Sequence, residues 1–291
     1  MRVTLAFLLL AARVSAQTPP TDSLTLDVYT ADSSAFGVTS TLIAGATEAI
    51  LVDAQFRISD AERLADRIAG TGKRLKAIII THPHPDHYFG IAVLRRRFPG
   101  TPVYITPAGL QEFNRTLAAK IATWGPMYGG DVPTNVPAPM PLPTRRFTVD
   151  GHAVEIVGDL QGDALVPTNS YVWVPSLSAA VVGDLAYDHA HVWLAESDTA
   201  TRAAWQTVLR RLEKTKPRVV VAGHKLAPEL PNDAATLAFT IRYIGDFETA
   251  RARATTADEL VATMQQKYPD LGFRNILTFA AQAAFPGALQ P

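Results

Sequence analysis

Thr81-His82-Pro83-His84-Pro85-Asp86-His87 is the stretch whose reading decides the fold and the chemistry of this chain. Three of the seven histidines and one aspartate fall within six positions here. Imidazole is a strong ligand for zinc-type cations, and a carboxylate adds hard oxygen and negative charge. On an extended loop His82 and His84 point the same way, because alternate residues share a face, so both can bind one ion. Asp86 and His87 lie further on, where the chain turns toward a helix, and can reach a second ion. Pro83 and Pro85 stiffen the loop and reduce the entropy lost on ordering it. Just before the run, Leu75 to Ile80 is apolar apart from Lys76, as expected of a strand largely buried on both faces. A rigid strand that ends in a loop of ligands is where catalytic groups concentrate.

Working outward, Leu24 to Thr30, Phe36 to Ile43 and Ala49 to Val52 have strand patterning, the last ending at Asp53. Asp60 to Ile68 has helical spacing and stops at Gly70 and Gly72. After the histidine run, Tyr88 to Phe98 and Thr106 to Ile121 are helical in pattern, with a short strand Val103 to Ile105 between them. Gly125 to Pro143 is dense in proline and glycine and is expected to be a loop over a cleft. Strand patterns return at Arg146 to Val149, Val154 to Val157, Asn169 to Val174, Ala179 to Val182 and Arg218 to Ala222. Thr201 to Leu212 is an amphipathic helix, and from Pro231 onward the chain is mostly helical. Two β-rich halves with helices, and no linker between them, predict an α+β fold: two sheets sandwiched between helices in a four-layer αββα arrangement over residues 24–291.

The bulk composition narrows the partners. The chain has 291 residues, 47% of them hydrophobic and 19% charged, with a formal net charge of zero. No polybasic stripe recommends nucleic acid or an anionic membrane surface, so a small-molecule substrate is expected. The absence of cysteine means that a metal site must be built from histidine and carboxylate. Residues 1–16 have the features of a cleaved signal peptide: Arg2, the apolar run Val3 to Ala12, and small residues at Val14-Ser15-Ala16. Cleavage near Ala16 would leave residues 17–23 as a flexible lead-in and send a protein without a membrane anchor to the periplasm or the medium.

Thr81 to His87 followed by Gly90 resembles the Thr-His-x-His-x-Asp-His-x-x-Gly signature of metallo-β-lactamase-fold hydrolases. Asp53 at a strand end is similar to the family's structural aspartate, Gly183-Asp184 to its bridging aspartate, and Gly223-His224 to its last histidine ligand. The resemblance runs from about residue 36 to 224. It implies an αββα sandwich with the site at the edge between the sheets. It also implies two divalent cations, zinc first, bridged by Asp184, with Asp86, His87 and His224 around the second.

One landmark departs from the pattern. Where the family has Gly-His, this chain reads Gly162-Asp163-Ala164, with Gly158-Asp159 upstream. Spacing to the strand Asn169 to Val174 favours Asp163, giving a first site of His82, His84 and Asp163. Two histidines and a carboxylate suit zinc, iron or manganese.

Beyond the ligands, Asp86 is the residue expected to orient the attacking water. Tyr187 and His191, a few residues after Asp184, are expected to contact substrate, whereas His152 reads as an exposed turn residue. The activity the resemblance implies is metal-dependent hydrolysis of an ester, lactone or related bond by an exported enzyme. A β-lactamase and an iron-dependent oxidoreductase of the same fold are the alternatives.

Overall fold

The computed structural model of the protein describes residues 23–285. The expected signal peptide and nearly all of the lead-in lie outside that range. The first half runs β1 (Thr25–Thr30), β2 (Thr39–Ala44), β3 (Glu48–Val52), α1 (Ile58–Gly70), β4 (Arg74–Ile79), α2 (Pro85–Tyr88), α3 (Ile91–Arg97), β5 (Val103–Ile105), α4 (Pro107–Tyr128) and β6 (Met140–Pro141). The second half runs β7 (Arg146–Val149), β8 (His152–Leu160), β9 (Asn169–Val174), β10 (Ala179–Val181), β11 (Tyr187–Asp188), α5 (Thr199–Lys214), β12 (Val219–Val221), β13 (His224–Lys225), α6 (Ala235–Arg251), α7 (Ala257–Lys267) and α8 (Arg274–Ala284).

Strands β1 to β6 form one sheet in sequence order, and a second sheet has the order β12-β10-β9-β8-β7. Apolar residues on both inner faces form the central core: Ile50, Val52 and Ile79 of the first sheet pack with Ile156, Val172 and Val181 of the second. The outer face of the first sheet buries Leu51 and Ile78 under Leu64, Leu94 and Phe113 of α1, α3 and α4. The outer face of the second buries Ala180 and Val220 under Trp205, Phe247, Leu260 and Leu277 of α5 to α8. The result is the four-layer αββα sandwich. Strand β4 is apolar throughout its second half because the central core covers one of its faces and a helical layer the other.

Two segments differ from their sequence patterns. Helix α4 continues through Gly125 and Pro126 to Tyr128, where a loop was expected. Proline costs one backbone hydrogen bond near a helix end. Here aromatic packing offsets that loss, since Trp124 and Tyr128 both sit edge-on to Phe56, with centroids 5.6 and 4.8 Å away. Strand β2 begins at Thr39 rather than Phe36, because Phe36 has left-handed backbone (φ 58°) after a short 3₁₀ turn over Ser33–Ala35. Among the described residues no helix is long and apolar enough to cross a membrane.

Candidate metal centre

The site gathers where strands of both sheets end. The loop after β4 carries His82 and His84, and Asp86 and His87 lie in the single turn of α2. Asp53, just past β3, holds this loop in shape. Its carboxylate accepts from the Thr81 backbone N–H at 2.8 Å, from Thr81 Oγ1 at 2.9 Å, and from His87 Nδ1 at 2.8 Å. Ser170 of β9 donates to the Thr81 carbonyl at 2.7 Å, which ties the second sheet to the same loop. Asp163 comes from the loop after β8, Asp184 from the 3₁₀ turn after β10, and His224 from the start of β13. Gly183 makes the Asp184 turn possible: its φ is +50°, and a Cβ there would lie 2.4 Å from Thr81 Oγ1.

Two groups of side chains result, each spaced to hold a metal ion: His82, His84, Asp163 and Asp184, and Asp86, His87 and His224. Asp184 lies between them. Its Oδ1 is 2.9 Å from His87 Nε2 and 3.2 Å from His224 Nε2, while its Oδ2 is 3.5 Å from His82 Nε2. His84 Nδ1 is 2.9 Å from Asp163 Oδ2, and His224 Nε2 is 3.3 Å from Asp86 Oδ2.

The fit to metal rests on four buried atoms. His82 Nε2, His87 Nε2, Asp163 Oδ2 and Asp184 Oδ1 lie at contact distance from one another's groups, yet none makes a hydrogen bond. Buried polar atoms without partners are costly, and these four, distributed over the two ligand groups, call for cations among them. The tautomers agree. His87 Nδ1–H donates to Asp53, and His224 Nδ1–H donates to the Phe36 carbonyl at 2.8 Å. His82 Nδ1 lies 3.0 Å from the Thr81 hydroxyl, which is itself committed to Asp53. Each leaves the Nε2 lone pair facing inward, as a ligand requires. His84 is reversed: Nδ1 faces Asp163, and Nε2 lies 3.3 Å from Glu196 Oε2.

Electrostatics point the same way. Burial would lower the His84, His87 and His224 imidazoles, but the surrounding carboxylates hold all three above their ordinary value, His224 at about 10. Burial would raise Asp184 and Asp86, but the histidines hold both well below the usual carboxylate range. The carboxylates therefore draw positive charge to this place, and a divalent cation meets that demand.

The remaining expected residues divide. Asp163 is fully buried, and its Oδ1 accepts from Asn169 at 2.9 Å. Asp159, the other carboxylate considered for that position, is instead paired with Arg145 at the surface. Tyr187 is fully buried; its hydroxyl donates to Asp184 Oδ2 at 2.8 Å and its ring stacks on His224. Its contact is thus with the carboxylate rather than with the cleft. His191, expected to contact substrate, is placed away from the cleft. Its ring is buried with Nδ1 2.8 Å from the Tyr243 hydroxyl, and it does not line the cleft. The packing of α6 behind β11 draws it inward.

Sequence reading missed Glu196 and Lys120. Glu196, in the loop before α5, reaches His84 Nε2 and also pairs with Lys120 of α4. Both residues line a cleft of about 480 Å³ that opens onto His84, Asp86, Asp184 and His224. Neither belongs to a motif, and the separation of Glu196 from His84 by 112 residues left no local signal.

The sequence matches the metallo-beta-lactamase superfamily over residues 34–224. No curated protein matches it. The fold is similar to a metallo-beta-lactamase family protein from Thermus thermophilus, with 21% identity and a TM-score of 0.62 over 90% of this chain and 91% of that one. It is also similar to a metallo-beta-lactamase from Pontibacter korlensis, with 21% identity and a TM-score of 0.57 over 77% of this chain and 100% of that one. DIM-1 metallo-beta-lactamase gives 19% identity and a TM-score of 0.57 over 79% and 99%. With the family match spanning the whole run from before Asp53 to His224, and the histidine and aspartate groups assembled at the strand ends, the chain belongs to the metallo-beta-lactamase superfamily, most of whose members are metal-dependent hydrolases.

Proposed function

We propose that this protein is an exported hydrolase that uses two divalent cations, zinc foremost, to cleave an ester, lactone or related bond. The observation that carries this reading is Asp184, set between the two ligand groups, with Oδ1 against His87 and His224 and Oδ2 within 3.5 Å of both His82 and His224. A carboxylate in that position can hold a cation pair, which lowers the pKa of water toward neutrality and polarises a carbonyl oxygen. Export is supported by the pattern of residues 1–16.

The chain's own residues then have distinct tasks. His82, His84 and Asp163 would hold the first cation, and Asp86, His87 and His224 would hold the second. Tyr187 fixes the rotation of Asp184 by its hydrogen bond. Asp86 faces the cleft and stays ionised, so it accepts a hydrogen bond from the nucleophilic water and orients it rather than storing its proton. In the net reaction one water adds across the acyl C–O bond. Its oxygen ends on the acyl carbon and a proton ends on the leaving alkoxide.

Dialysis against a chelator should abolish ester and lactone hydrolysis, and added Zn²⁺ should restore it. Turnover that survives thorough metal removal would refute the proposal. Nitrocefin hydrolysed as fast as lactone would replace the ester reading with a β-lactam one. Iron bound stoichiometrically, with no zinc, would favour oxidation chemistry.

A further inference from the structure

The cleft has the candidate ligands His84, Asp86, Asp184 and His224 at its floor and large apolar side chains along its walls. Phe36, Phe56 and Trp124 form one wall, and Trp193, Ile276 and Phe279 form the other. The walls are preset by edge-on aromatic contacts: Phe36 to Trp124 at 5.8 Å and Trp193 to Phe279 at 6.1 Å. Met127 and Phe279 stand at the cleft and remain 61% and 37% exposed. Exposed large apolar groups at the edge of an apolar cleft mark a binding surface.

Charge in the cleft is equally informative. Apart from the candidate metal ligands, the charged residues lining it are Lys120 and Glu196, and these pair with each other. Glu196 also accepts from His84. Recruiting Lys120 to a substrate anion would require it to leave Glu196, its partner in the cleft. No unpaired cation among the described residues therefore lines this cleft to receive a carboxylate or phosphate on the substrate.

We infer that the substrate is an uncharged ester or lactone whose acyl part is a long apolar or aromatic group lying between these two walls. This rests on the hydrolase reading above and adds to it the chemistry of the group held away from the scissile bond. The acyl C–O bond breaks over the ligand groups, water supplies the new C–OH, and the apolar chain stays between the aromatic walls. A cleft of about 480 Å³ falls within the range of sites that enclose drug-sized ligands.

The test uses the zinc-loaded protein and p-nitrophenyl esters from acetate to decanoate, kept below their micelle concentrations. A matched ester ending in a free carboxylate, such as the monoester of glutarate, is added to the series. Burial of each added methylene should raise kcat/KM by up to roughly fourfold until the cleft is filled. The carboxylate-ended ester should fall at least roughly tenfold below its methyl-ended counterpart, since its charge finds no partner. Phe279→Ser should reduce the ratio of octanoate to acetate kcat/KM. A flat chain-length profile, or preference for the anionic ester, would overturn the inference.

A second measurement separates the two readings. A non-hydrolysable octyl ketone should quench the fluorescence of Trp124 and Trp193 saturably in metal-free protein, and less so in Phe279→Ser. Saturable quenching without metal-dependent hydrolysis of any ester would sink the hydrolase reading and leave the apolar cleft standing. Hydrolysis without chain-length dependence or quenching would sink the inference alone.

Discussion

Replacing Glu196 by alanine tests whether the ligand geometry is built as described. Glu196 touches none of the proposed cations; it acts through His84, whose Nε2–H it accepts at 3.3 Å, and so keeps Nδ1 free to face Asp163. Loss of such an outer partner costs roughly 10–100-fold in metal affinity. The lower end applies here, because the bond is long and the Glu196 side chain is 40% exposed, so water can partly replace it. Glu196→Ala should therefore weaken the first cation about tenfold, or about 1.4 kcal/mol. The cation held by His87 and His224 should keep its affinity, since those rings are oriented by Asp53 and the Phe36 carbonyl. Competition against a chromogenic chelator, fitted to two sites, reads both constants. Glu196→Gln should recover most of the loss, because its amide oxygen can still accept from His84. Unfolding of the metal-free variant should stay near that of the parent. Equal affinities in parent and Glu196→Ala, or equal losses at both sites, would refute the positioning role.

Other consequences follow from the same geometry. Asp53→Ala leaves the Thr81 N–H, the Thr81 hydroxyl and His87 Nδ1 without their acceptor. It should destabilise the fold by about 3 kcal/mol or more and lower metal content, as read by urea unfolding and metal analysis. Gly223→Ala would place a Cβ 2.4 Å from Asp184 Oδ1 and 2.5 Å from the Gly183 carbonyl carbon. Because backbone cannot yield cheaply, the purified variant should bind less metal, and full metal stoichiometry would contradict that tight packing. His191 is held down at about 4 by burial, with Arg274 adding to the effect. Its folded pKa is thus below the unfolded value near 6.5, so the unfolded chain binds the proton first as pH falls. Stability from this residue is full above pH 6.5 and is lost as pH drops toward 4, by the order of 3 kcal/mol over that window. His191→Gln should flatten this part of the stability profile, and an unchanged slope would show that the ring does not stay neutral in the fold.

Much of the centre is legible in the chain because its pieces are local. His82, His84, Asp86 and His87 share one loop, and the turn into α2 presents them on the two sides that their spacing implies. Asp53, Asp184 and His224 each sit just past the end of an apolar strand, a pattern that burial imposes on the sequence itself. Asp159 and Asp163 both follow a glycine near the end of β8, so spacing alone separates them only narrowly. The structure separates them by their partners: Arg145 captures one at the surface while Asn169 holds the other in the interior. The path of α4 was misread because proline and glycine content describes backbone preference, whereas aromatic burial against Phe56 supplied the larger energy.

The sequence by itself determined the ligand types, their order, the absence of thiolate, and the alternation of apolar strands that requires two sheets between helices. These depend on residue identity and short-range periodicity, which the chain carries wherever it goes. Tertiary structure decided what no short range could. It decided that Glu196 would brace His84 across 112 residues and that His191 would turn to Tyr243. It also brought α4 and α8 together as facing walls of one apolar cleft, through Trp124 and Phe279. Those contacts join segments far apart in the chain, and their partners are selected by packing and desolvation only once the two sheets have closed on each other.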